Sequence, residues 1–124
     1  MINQILNYIG AFLVFAWGLS HLFPTRNVVA GFGDISHDNR RIITMEWIIE
    51  GIALIFIGTL VSVVTFIDHT TLVSKSVFVV SAICLLVLAL VSLFTGFRIN
   101  FLPFRLCPII FTTSAVLFLM ATFL

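Results

Sequence analysis

Glu46 and Glu50 stand four residues apart inside a long apolar run, a spacing that puts both carboxylates on one face of a helix. Such a pair can hold a cation, accept a proton or tie to a guanidinium group. An ionised glutamate facing lipid is strongly disfavoured, so the pair is expected to face the interior of a bundle, with Asn39 and Ala53 continuing its stripe. His21 closes the preceding apolar run. Stepping back from it by helical turns gives Trp17, Val14, Gly10, Asn7 and Asn3, a stripe that gathers most of that helix's polar residues and should face other helices. His21 and Glu50 could then meet, and a neutral imidazole beside a carboxylate is the usual acid–base pairing. Arg98 and Arg105 close the remaining two runs at the same level and offer guanidinium partners to nearby carboxylates. Blander readings stand beside each of these. Glu46 can simply reach the headgroups while Glu50 ties two helices through an arginine, and His21 can bond a loop carbonyl. Arg98 and Arg105 can snorkel to phosphates as topology anchors. Arg40 and Arg41, with Asp38, look like the exposed face of an interfacial turn.

Other chemistries lack their patterns. His21, His37, Asp38, Glu46 and Glu50 could supply metal ligands, but neither Glu-x-x-His nor His-Glu-x-x-His occurs, so no metal is assigned. Cys84 and Cys107 belong to different helices at different depths, which argues against a disulfide or dithiol pair. Gly31-x-Gly33 lacks the third glycine and the preceding strand of a dinucleotide site.

The elements that must position these residues follow from where charge is allowed. Of fourteen ionisable side chains, eleven fall in or beside two connecting segments: His21 to Glu50, then Arg98 and Arg105. Only Asp68, His69 and Lys75 lie elsewhere, and Ser76 to Phe97 holds no charge at all. A bilayer enforces such segregation, because a charge at mid-membrane costs at least about 2.5 kcal/mol. With 61% apolar and 9% charged residues the chain lies far from soluble norms. Its net charge of +1 argues against a nucleic-acid partner, which would demand a basic surface.

The spacing predicts an all-α, integral membrane four-helix bundle forming one domain over residues 1–124, with spans at Ile5–Phe23, Thr44–Ile67, Ser76–Phe97 and Cys107–Leu124. The first span lacks a basic leader and a small-residue cleavage site, so it is read as a retained helix. Pro24 closes it, Thr25–Asn39 reads as a turn, and Ser36 or Asp34 caps a second helix that begins in the interface near His37. Pro108 is assigned to the first turn of the fourth helix. Gly51 with Gly58, and Ser92 with Gly96, supply small-residue contacts for close packing. Five of the six Lys/Arg fall on one side, which the positive-inside rule makes cytoplasmic. The expected location is a bacterial inner membrane, crossed four times, with both termini outside the cytoplasm.

Gly18-Leu19-Ser20-His21-Leu22 and Glu50-Gly51-Ile52-Ala53-Leu54-Ile55-Phe56-Ile57-Gly58 resemble segments of the DoxX-like group of small four-helix membrane proteins. The likeness covers roughly residues 9–60. It implies a four-helix bundle and, as in some members, a membrane subunit of a quinone-linked redox complex. The combined expectation is a cytoplasmic-side pocket lined by His21, Glu46, Glu50 and Arg98, with Trp17 on the same stripe. It would bind a quinone or a lipid in an accessory subunit beside a membrane or soluble redox partner. Two rivals are a stand-alone enzyme using Glu50 and His21 as acid and base on a lipidic substrate, and a proton-coupled transporter working as a homo-oligomer.

Overall fold

The computed structural model describes Met1–Leu124 and is all-helical. Four long helices, α1 (Ile2–Leu22), α3 (His37–Ile67), α4 (Leu72–Phe94) and α5 (Leu102–Phe123), are each long and apolar enough to cross a membrane. The chain is thus a multi-pass integral membrane protein. A short helix, α2 (Thr25–Ala30), and a 3₁₀ turn at Gly96–Arg98 lie in the two charged connections.

The helices pack in a ring in chain order, but the ring is uneven. α1 packs closely on α3 and on α5, and α5 on α4, whereas α3 and α4 touch only sparsely. Tight packing needs small residues, because lipid tails remove any hydrophobic advantage from helix association. Glycines supply them along α1 and α3. A Cβ added at Gly58 would lie 2.7 Å from the Ala11 carbonyl oxygen, and one at Gly18 would lie 2.8 Å from that of Gly51. On the α5 side a Cβ at Gly10 would meet the Phe118 ring at 2.8 Å. The interior stripe expected for α1 is present: Asn7, Gly10, Val14 and His21 are buried, while Phe12 is exposed. Ala11, Val14, Leu54, Val61, Phe78, Leu85, Phe111 and Phe118 fill the core.

The connections depart from expectation in three places. Thr25–Asn39 is not simply a turn, since Thr25–Ala30 is helical. The Thr25 hydroxyl donates to the Leu22 carbonyl at 2.6 Å and Val29 is buried, so one hydrophobic side anchors α2 on the bundle. The turn that follows needs Gly33 at φ 75°, a backbone region that glycine enters without steric cost. The third span ends earlier than Phe97. The Thr95 hydroxyl takes up the Val91 carbonyl at 2.6 Å, and the chain tightens into the 3₁₀ turn. The fourth begins five residues before Cys107, so Pro103 occupies its first turn and Pro108 lies inside the helix. Ser36 caps α3 by accepting from the Asn39 N–H at 3.2 Å, with Asp38 in the first turn. At 31 residues, α3 spans about 46 Å and so reaches past about 30 Å of hydrocarbon. Its surplus is the charged first turns, His37 to Arg41.

Candidate functional site

His21 is the pivot of the charged end. α1 delivers it at its last turn, on the interior stripe, with its side chain 6% exposed. Its ring stacks on Trp47 of α3 at a centroid separation of 3.7 Å and an interplanar angle of 16°. The Trp47 Nε1–H donates to the His21 carbonyl at 2.7 Å, so the same indole fixes both the backbone and the ring. His21 Nε2 lies 3.4 Å from Glu50 Oε2, an ion-pair distance without hydrogen-bond alignment, and Nε2 has no hydrogen-bond partner. This contact is the one ion pair in the chain.

Two spaces flank the His21–Trp47 stack. One is a comparatively closed pocket of about 220 Å³ walled by Trp17, His21, Trp47, Phe101, Phe104 and Cys107. The Trp17 Nε1–H points at the Cys107 thiol at 3.4 Å, which joins α1 to α5 across it. Phe104 meets Trp47 edge-on at 5.9 Å, and Phe101 meets Phe104 at 5.3 Å. Both indole N–H groups are therefore committed, and His21 stands among four aromatic rings, with Ser20, Pro24, Val28, Pro103 and Cys107 completing the lining. The other space is an open groove of about 420 Å³ at the sparse α3/α4 seam, lined by Glu46, Trp47, Glu50, Ala53 and, from α4, Leu88.

The five residues expected to share a pocket are thus divided. His21 and Trp17 line the aromatic pocket. Glu46 and Glu50 line the groove, and Glu50 bridges the two spaces through its contact with His21. The expectation that both glutamates face the bundle interior fails. Glu46 is exposed and the Glu50 side chain is 42% exposed, because the buried face of α3 is the glycine face, Gly51, Leu54, Gly58 and Val61. Arg98 joins neither space: it is exposed in the 3₁₀ turn and contacts no carboxylate, since that turn ends the helical register that would have aimed it inward. Trp47, Phe104 and Cys107 were not foreseen as pocket walls. Trp47 carried a signal, since it precedes Glu50 by three residues and so shares its helix face. Phe104 became legible only once α5 was seen to start at Leu102. Cys84 is exposed on α4, far from this end, and both cysteines are free thiols.

Comparison with known protein families, curated proteins and solved structures finds no match to this chain.

Proposed function

We propose that this protein binds a lipid-soluble small molecule, a quinone or a lipid, in the aromatic pocket at its charged end, as an accessory membrane subunit beside a redox partner. One observation carries the reading. His21 is more than nine-tenths buried, lines the pocket, and keeps a ring nitrogen without a hydrogen-bond partner. A buried polar atom left unpaired costs about 1–3 kcal/mol, which a ligand carbonyl, hydroxyl or proton would offset. Flat aromatic walls suit a flat ring, and offset or edge-on contacts with Trp17, Trp47 and Phe104 would hold it. A quinone bound there would supply two-electron redox chemistry. The chain's own part is to exclude water, orient the ring and present the His21 imidazole.

The subunit role and the quinone rest on the DoxX-like resemblance of Gly18–Leu22 and Glu50–Gly58. We place the charged end in the cytoplasm of a bacterial cell and both termini outside, on the arginine bias of the connections. A cysteine placed near residue 71 would then react with an impermeant external reagent and one near residue 33 would not; the reverse pattern refutes the orientation.

A second reading draws on the 3.4 Å His21–Glu50 contact, which is the geometry of an acid–base pair acting on a lipidic substrate. Native mass spectrometry of the gently solubilised protein separates the two. The subunit reading predicts a bound isoprenoid-sized mass and a co-purifying partner. A lone monomer that turns over added lipid would replace it with the enzyme.

A further inference from the structure

We infer that the cleft between α2 and α3 is a second binding site, and that it takes the phosphodiester group of an anionic phospholipid. The cleft, of about 340 Å³, is lined by Thr25, Arg26 and Val29 of α2 and by Arg40 and Thr44 of α3. It shares no residue with the aromatic pocket. Two arginines therefore line one small space, and no carboxylate stands within 4.0 Å of either guanidinium group. Like charges brought together without a counter-charge repel, so an anion in the cleft removes a penalty as well as adding contacts.

The hydrogen-bond inventory narrows what the anion must do. The Thr25 hydroxyl donates to the Leu22 carbonyl at 2.6 Å and the Thr44 hydroxyl to the Arg40 carbonyl at 2.7 Å. Both protons are spent within their own helices, so these threonines shape the wall and the arginines supply the donors. Each guanidinium carries five N–H groups, and the protein uses one of the ten, Arg40 Nη2 to the Gly33 carbonyl at a long 3.4 Å. That single bond leans Arg40 towards the loop that joins the two helices and leaves the rest of its donors free. A planar fork matches the paired oxygens of a phosphate, and a lysine ammonium would not. Depth identifies the source. Arg26 follows Pro24, just past the end of α1, and Arg40 precedes the apolar stretch of α3 that begins at Ile42. Both sit where headgroups lie, and basic pockets at this level bind anionic lipid headgroups. α2 then has a purpose beyond connecting spans: it closes the cleft and presents Arg26.

The test uses the full-length protein in neutral detergent, titrated with phosphatidylglycerol or with phosphatidylcholine, and native mass spectrometry to count retained lipid. Phosphatidylglycerol should be retained preferentially. R26Q/R40Q should weaken that retention roughly thirtyfold, taking about a fivefold contribution from each arginine near the surface, while R41Q, whose side chain does not border the cleft, should not. Equal retention of the two lipids, or undiminished retention by R26Q/R40Q, overturns the proposal. Millimolar inorganic phosphate should fail to displace the lipid; displacement would assign the cleft to a soluble phosphate and overturn the lipid source. If the double variant does not fold, R26Q alone on exposed α2 decides the matter: a several-fold loss supports the site and no loss overturns it.

Discussion

The two sides of α3 are built on opposite rules. The side facing α1 is closed by glycines at backbone contact distance, Gly51 against Gly18 and Gly58 against Ala11. The side facing α4 is left open and carries Glu46, Glu50 and Ala53 along a groove. Both seams belong to one helix in one membrane, so the difference is a matter of side-chain size and charge. Small residues let backbones approach, and dispersion then holds the seam. Carboxylates at the other seam keep α4 away, since closing it would strip their solvation with no cation there to compensate. One seam holds the bundle together, and the other stays open as a groove.

The largest expected effect comes from breaking the closed seam. Gly58→Leu forces a side chain into the Ala11 backbone and should cost about 3 kcal/mol or more, read as loss of thermal stability in detergent. Ala53→Leu, at the open seam, should move stability by no more than about 0.5 kcal/mol. Equal losses would mean the seams are not distinct. Gly10→Leu should also destabilise, because a Cβ there meets the fully buried Phe118 ring at 2.8 Å and the Ser114 carbonyl oxygen at 3.2 Å, whereas a change at lipid-facing Phe12 should be tolerated.

A smaller effect distinguishes the two carboxylates of the open seam. Glu50→Gln removes the charge beside His21 and should weaken ligand retention about fivefold, about 1 kcal/mol for a partly exposed pair. Glu46→Gln, which touches no partner, should leave it unchanged; the opposite order would move the site into the groove.

The smallest effect lies at the opposite end of the bundle. Asp68 accepts from the Thr70 N–H at 2.7 Å and hydroxyl at 2.6 Å, and these bonds hold its carboxyl below the usual carboxylate range. A lowered native value means the bonds stabilise the turn above the ordinary carboxylate pKa and are lost as pH falls through the lowered one. The protection of the Thr70 amide relative to its intrinsic exchange rate should therefore fall in acid, and the Asp68→Asn variant should lack that pH dependence.

What the sequence disclosed depended on how local the physics was. Segregated charge marked four membrane helices, and the Ser36 cap with its following Asp38 marked where α3 starts. The interior stripe of α1 was legible because one helix face holds Asn7, Gly10, Trp17 and His21. The glutamate face was misjudged for a reason outside the helix. Two stripes on α3 could claim the interior, and glycine packing against α1 won over carboxylate burial. α2 escaped because six residues after a proline carry no full amphipathic period. Arg98 was misplaced because a 3₁₀ turn, set by Thr95, rotates everything beyond it.

Both tryptophans of the chain, Trp17 and Trp47, line the aromatic pocket, so their fluorescence reports its occupancy directly. Titration with a short-chain benzoquinone should give saturable quenching that His21→Ala weakens and Phe12→Ala does not. Linear, unsaturable quenching of equal strength in all three proteins would show collision from the bilayer alone and contradict a quinone site at His21.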